Sequence, residues 1–148
     1  KDGKIVSEKA YYEGRLIGEN IFLSFPIPKE QKTYFSNGNI KTHYYMPDNK
    51  ELKNNYTLVG DMFYLSGQIA SHASVKTDEK RTFVLLEIFN KQNKKIMEVE
   101  TDKKIGYCFL SNGTKQLASK EQLDRYDQEV LEIIRHLEQD KELNFECE

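Results

Sequence analysis

Along residues 1–118, short apolar clusters alternate with polar turns, and one pattern keeps returning. Tyr34-Phe35-Ser36-Asn37-Gly38-Asn39-Ile40-Lys41-Thr42-His43 and Phe63-Tyr64-Leu65-Ser66-Gly67-Gln68-Ile69-Ala70-Ser71-His72 share it at a step of 29 residues. Each has two aromatics, a turn closing on Gly, and then Ile. Tyr11-Tyr12-Glu13-Gly14-Arg15-Leu16 is a shortened copy, and Asp2-Gly3-Lys4-Ile5 is the back half of another. Ile88 to Ile96 is a degenerate copy with a longer loop, and Phe109 to Lys115 is the last. Asn-Gly accepts the positive φ of a two-residue type I′ turn, so Asn37-Gly38 and Asn112-Gly113 predict tight hairpins. Ser66-Gly67 and Glu13-Gly14 are weaker versions. Aromatics before the turn and Ile or Leu after it supply cross-strand pairs. Each copy therefore reads as a hairpin.

The segments between copies also read as strands. Ile21-Phe22-Leu23-Ser24-Phe25 is apolar and is stopped by Pro26 and Pro28, which leaves Phe25 to Lys32 as a bulging insertion. Thr82 to Phe89 is the most hydrophobic run, and its length suits a strand buried on both faces. Met46 to Lys50 and Lys76 to Lys80 read as polar loops. After residue 118 the period changes. Ser119-Lys120-Glu121-Gln122 fits a capping box. Leu123, Tyr126, Val130, Ile133, Ile134 and Leu137 then fall on one helical face. The expected architecture is mainly β, an antiparallel meander of consecutive hairpins over 1–118. A capping amphipathic helix follows over 119–140 and an acidic tail over 141–148, all in one domain. The helix should cover an end or a face of the sheet, because an open repeat edge invites aggregation.

Composition changes this picture little. The chain of 148 residues has 31% charged residues, nine Tyr, eight Phe and no Trp. The net charge of −2 is uneven: residues 1–119 carry fourteen acidic and eighteen basic side chains, residues 120–148 ten and four. A mildly basic body of this kind lacks the concentrated patch of a nucleic-acid binder. No run approaches the roughly 18 apolar residues of a membrane-spanning helix. The first residue is Lys, which implies a removed segment, either a signal peptide or an upstream region. A signal peptide would place the protein outside the cytoplasm or at the envelope, and abundant Lys, Asn and Ile fit an AT-rich bacterial genome. Cys108 and Cys147 form no CxxC pair, so a zinc or thioredoxin-type site is not expected. Cys108 lies in a probable strand, where a buried inert thiol is the default. One disulfide tying the tail to the sheet is the alternative, and sequence does not supply its geometry.

The unit aromatic–aromatic–x–Asn–Gly–x–Ile/Leu–Lys resembles the MORN-repeat variant of bacterial proteins, the antitoxin components of the YwqK type. Tyr34 to Lys41 matches best, with Phe63 to Ile69 and Tyr11 to Leu16 in part. The resemblance covers roughly residues 1–118 and leaves the helix outside. It implies hairpins laid side by side in an elongated sheet, protein contacts as the function, and lipid contacts in related repeats. The spacing departs from a strict array: successive turn glycines lie 11, 24 and 29 residues apart.

Candidate chemistry is sparse. His43 and His72 occupy the same position in two copies, but a divalent metal needs three or four ligands and nothing else recurs with them. Alternation from Ile40 and Ile69 points both away from the apolar face, with Lys41 and Ala70. His136 reads as a flanking residue on the helix. No GxSxG elbow, phosphate loop or carboxylate pair in apolar surroundings is present. No cofactor, metal or catalytic residue is expected. The better lead is an exposed sheet face with Lys41, His43, Tyr45 and His72, suited to an unknown protein partner. The expected function is therefore a non-enzymatic interaction module, a monomer or weak homo-oligomer, antitoxin-like or envelope-associated. The alternatives are anionic-lipid binding at a membrane surface and a hydrolase with an unrecognised site.

Overall fold

The computed structural model describes residues 3–48, 50, 57–135, 137–142 and 147, without the side chains of 129–135 and 137. Ten strands run in chain order across one antiparallel sheet: β1 (Ser7–Tyr12), β2 (Arg15–Ser24), β3 (Ile27–Tyr34), β4 (Ile40–Tyr45), β5 (Val59–Phe63), β6 (Ile69–Thr77), β7 (Thr82–Phe89), β8 (Lys95–Glu100), β9 (Ile105–Phe109) and β10 (Lys115–Leu117). Every strand pairs with its sequence neighbours, as a meander requires. One helix, α1 (Lys120–Arg135), follows, and then a 3-10 turn at Leu137–Gln139.

The hairpins are real, but their turns differ from those expected. In four of them the chain closes a three-residue loop. The amides of Phe35, Tyr64, Asn90 and Leu110 donate to the carbonyls of Asn39, Gln68, Lys94 and Thr114 at 2.8–3.0 Å. Within each loop only the third residue takes positive φ: Gly38 (87°), Gly67 (98°), Asn93 (60°) and Gly113 (83°). This is a type I turn followed by a left-handed residue. Asn37 and Asn112 act through their side chains instead, accepting from the amides of Asn39 (3.0 Å) and Thr114 (2.9 Å), the Asx-turn habit of this residue. The two-residue turn with both φ positive occurs at Glu13 (48°) and Gly14 (78°), in the copy with the poorer sequence.

A second regularity follows the turns. Three residues beyond Gly14, Gly38, Gly67 and Asn93, one residue is left unpaired in the register: Ile17, Lys41, Ala70 and Ile96. Each is a β-bulge, two residues facing one. The bulge brings two consecutive side chains to the same face. Ala70 and Ser71 are both buried, and so are Ile96 and Met97. Alternation therefore fails at these positions, which corrects the expected placing of Lys41 and Ala70 beside the histidines. Ala70 is a core residue. The Lys41 ammonium lies 5.7 Å from the ring centre of buried Phe35.

Two other expectations are corrected. Phe25 to Lys32 is no insertion, because Ile27–Tyr34 forms β3 between β2 and β4. Pro28, lacking an amide hydrogen, is accommodated at a register shift opposite Phe22. In β7 only Ile88 is fully buried, so this strand is not enclosed on both sides.

The core lies on one face of the sheet. Met62, Ile88, Met97 and Cys108 stand in one cross-strand row there, with Phe35, Tyr64, Ala70 and Ile96 beside them. Helix α1 seals this face. Its capping box forms as expected: the Gln122 amide donates to Ser119 Oγ (3.1 Å), and the Ser119 amide donates to Gln122 Oε1 (2.8 Å). Tyr126 is buried in the core, and Leu123 packs against it. Gly106 in β9 lets the helix approach, since a Cβ there would collide with Leu123. The helix ends earlier than residue 140, and described residues beyond it contact the sheet and its turns. Glu138 accepts from the Ser36 amide (3.2 Å). Glu142 accepts from the Lys91 amide (2.9 Å), and Asp140 pairs with Lys91 Nζ (2.6 Å). Cys147 is bonded to Cys108, with a Cα–Cα distance of 5.4 Å. Cys108 is thus no free thiol: the tail carries its partner to the sheet.

Two glycine substitutions should separate the backbone constraint from the packing constraint. Gly60 sits at φ 142° with the His43 carbonyl oxygen where a Cβ would go. G60A should cost about 3 kcal/mol or more, because backbone cannot yield. G106A meets only the end of a flexible leucine and should cost about 1–3 kcal/mol. Urea unfolding midpoints decide the order, and equal losses would contradict it. Reducing Cys108–Cys147, which are 39 residues apart, should remove about 4 kcal/mol by chain-entropy reasoning.

Candidate functional site

The helix-free face carries the polar chemistry of the molecule. Its residues are aligned by register rather than by sequence spacing. One row crosses all ten strands: Lys9, Glu19, Lys32, His43, Asp61, His72, Glu87, Glu98, Tyr107 and Leu117. Residues directly opposite on antiparallel strands have Cβ atoms about 5 Å apart, so neighbours along the row are within reach of one another. The adjacent row, Ala10-Gly18-Thr33-Thr42-Met62-Ser71-Ile88-Met97-Cys108-Gln116, faces the helix side. Pleating alone separates the two rows.

The two histidines stand in one row, on either side of Asp61 and one strand apart from it. His72 Nδ1 is 2.6 Å from Asp61 Oδ1, and His43 Nε2 is 3.2 Å from Glu30 Oε1. Both imidazoles are about one-third exposed, at 36% and 35% of the side chain. The Tyr45 ring stands 6.1 Å from that of His43 and is itself exposed. Three of the four residues singled out in the sequence therefore share one open face, and Lys41 lies on the other. Glu30, Asp61 and Glu87 were not singled out, because their loops have different lengths and register cannot be read from spacing. Among the described residues no group of three or more His, Cys, Asp and Glu is arranged to hold a metal. His136 lies outside the described residues.

Ion pairs hold the row at both ends. Glu19 takes a hydrogen bond from the Tyr34 hydroxyl (2.5 Å) and pairs with Lys9 (3.1 Å). The Tyr34 hydrogen bond and then that of Lys9 hold the Glu19 carboxyl below its ordinary value of 4.5. The Tyr34 hydroxyl is pushed up to about 12 by the same bond. Glu30 is lowered by Lys32 (3.1 Å). At the far end Glu87 and Glu98 face one another directly, an arrangement that repels. The Lys95 ammonium resolves it by pairing with both, at 2.9 Å from Glu98. Lys115 adds a contact to Glu98 at 2.7 Å and stands 4.3 Å from the Tyr107 ring centre. Burial works to raise the Glu98 carboxyl, but Lys115 and Lys95 together bring it below 4.5. An oriented imidazole such as His72 on Asp61 is one ingredient of general-base chemistry. Here it stands on an open face, with the His72 side chain about one-third exposed.

The fold and this face define a class: an antiparallel meander with a helical cap on one side and a charged, aromatic-bearing surface on the other. No protein-family profile and no curated protein matches the chain. A crystal structure at 1.90 Å of a protein of unknown function from Bacteroides fragilis is similar over 80% of this chain and 91% of its own. Its identity is 13% and its TM-score 0.24, too slight to assign fold or function.

The pH dependence has a definite sign. Glu19, Glu30 and Glu98 have folded pKa values below 4.5. Their contribution is complete above that value and is lost as pH falls through the folded values. Tyr34, raised from 10.0 to about 12, contributes below 10 and loses its part as pH rises through 12. Stability measured by urea unfolding should therefore hold between these limits and fall on both sides. Substituting Lys95 by Met should cost about 1–3 kcal/mol at pH 7, because it leaves two partly buried carboxylates opposed. The same substitution should cost less as pH falls and Glu98 takes up a proton. A pH-independent loss would show that Lys95 acts by packing alone.

Proposed function

We propose that this chain is a non-enzymatic protein-interaction module of the MORN-repeat-variant kind. It presents the helix-free face of its sheet to a protein partner. The observation that carries the reading is the asymmetry of the sheet. α1 covers one face over part of the sheet, whereas the helix-free face exposes Tyr11, Ile21, Tyr45 and Leu117 among the ionic row. Aromatic anchors set in a satisfied polar surround are what a protein interface uses. The recurring turn-and-bulge hairpin supports the repeat reading, and an antitoxin-like role is the one the resemblance implies. The outer ends of β2 and β3 favour a second reading, contact with an anionic lipid surface. Leu23 and Phe25 are exposed there beside Lys29.

The test is capture of partners from a bacterial lysate by the immobilised chain, with substitutions on each face. Tyr45→Ser together with His43→Ser should abolish capture of a specific protein, while Lys120→Glu on the helix side should leave it intact. Capture that ignores the helix-free face would defeat the proposal. Salt-sensitive co-sedimentation with phosphatidylglycerol vesicles, lost in Phe25→Ser, would favour the lipid reading instead.

A further inference from the structure

The two flanks of α1 meet the sheet differently. On one, the Gln122 side chain donates to the Cys147 carbonyl (2.9 Å). On the other, a cleft of about 500 Å³ opens between the first turns of the helix and the sheet. All of its lining residues lie between 86 and 127. The sheet supplies Leu86 and Val99, a directly opposed pair in β7 and β8. The helix supplies Leu123 and Tyr126. Leu123 seats on Gly106, the next residue in that row, which leaves Leu86 and Val99 only partly buried. The rim of the cleft is charged. Lys120, Asp124 and Asp127 follow at i, i+4 and i+7 along this flank, and Lys104 joins them from the turn between β8 and β9. Among the described residues Lys104, Lys120 and Asp124 make no ion pair or side-chain hydrogen bond. Lys120 is also placed unfavourably for the helix alone, because a cation in the first turn opposes the helix dipole.

We propose that this cleft binds a small zwitterion with an apolar side chain, an α-amino acid of the phenylalanine kind. Its volume falls within the roughly 300–1,000 Å³ of small-molecule sites, and it joins apolar walls to a few polar groups as such sites do. The charges select the ligand. A wholly apolar molecule would leave them unused, and a simple carboxylate would meet Asp124 and Asp127 beside the lysines. An α-amino acid carries both charges close together. Lys120 and Asp124 present the opposite pair one helical turn apart, about 5–6 Å between Cβ atoms. The ligand carboxylate goes to Lys120 and Lys104, where the positive end of the helix dipole adds to the attraction. Its ammonium goes to Asp124 and Asp127. Its side chain lies on Leu86, Val99 and Leu123, with the Tyr126 ring at hand for an aromatic contact. Bound there, the carboxylate offsets the misplaced charge of Lys120. The rim charges are exposed, so each contributes modestly and the affinity is modest. The cleft lies on the helix side of the sheet, so the proposal stands or falls independently of the proposed function.

Titration of the full chain with L-phenylalanine, followed by NMR, should shift the methyl signals of Leu86, Val99 and Leu123 and saturate with a Kd of roughly 0.1–1 mM. Phenylpropionate lacks the ammonium and phenylethylamine lacks the carboxylate. Each should bind about tenfold more weakly, the loss of one charge-assisted contact. Lys120→Gln and Asp124→Asn change exposed side chains and should weaken phenylalanine by a similar factor, while the rest of the spectrum stays in place. Phenylpropionate binding as tightly as phenylalanine overturns the zwitterion assignment. An absence of saturable shifts up to about 10 mM, or shifts centred away from these three methyl groups, overturns the site.

Discussion

One helix has to cover a sheet nearly twice its length. Ten strands spaced about 4.8 Å apart span roughly 43 Å. A helix of 16 residues is about 24 Å long. Among the described residues the meander has no second sheet to pack against, and its core forms on the apolar face beneath the helix. Everything else adjusts to that. Leu123 meets Gly106 in β9, and Glu138 reaches the turn between β3 and β4 at Ser36. The helix and the turn after it therefore extend from β9 to the turn between β3 and β4, and among the described residues β1 to β4 form a single layer. The helix-facing row registers the change. It reads Met, Ser, Ile, Met and Cys where the helix lies over it, and Ala, Gly, Thr and Thr where it does not.

A single layer gains little from burial and must be held by other means. β1 to β4 use the antiparallel ladder and side-chain pairs across it: Lys9 with Glu19, Tyr34 with Glu19, Thr33 with Thr42, and Glu30 with both Lys32 and His43. Exposed pairs of this kind contribute modestly each. The pairs around Glu98 and Glu87 are more enclosed, and there an unpartnered charge costs more than a partnered one contributes. The row thus does different work along its length. It fixes register where the sheet is thin, and it neutralises carboxylates where the sheet is thick.

Much of this was legible in the sequence, and the failures have physical reasons. The hairpins, their Gly turns and the capping box depend on local residue chemistry, so Gly38, Gly67, Ser119 and Gln122 could be placed from the sequence. The bulges at Lys41 and Ala70 could not, since one unpaired residue leaves no mark in an apolar pattern while reversing the face of each later residue in its strand. The turn type was misread because Asn-Gly also serves a type I turn with a left-handed third residue. The ionic row was hidden for a different reason. Lys32, His43, Asp61 and His72 are separated by loops of unequal length, and only pairing register puts them in line. The Cys108–Cys147 bond required knowing that the tail turns back over the sheet.

The bulges also decide what the open face can offer. By turning Lys41 toward Phe35, the bulge in β4 removes a flexible cation from the face that holds His43 and Tyr45. By turning Ala70 into the core, the bulge in β6 fills the space beside Tyr64 without disturbing His72. Outward around His43 stand Tyr45 and, on the neighbouring strands, Glu30, Lys32 and Asp61, with His43 and Lys32 both held by Glu30. Such groups lose little freedom when a second surface closes on them. A strictly alternating sheet would have added Lys41 there beside Lys32, at a larger entropic cost to any contact. The same irregularity that keeps the hairpins from forming a regular array therefore preorganises the face they present.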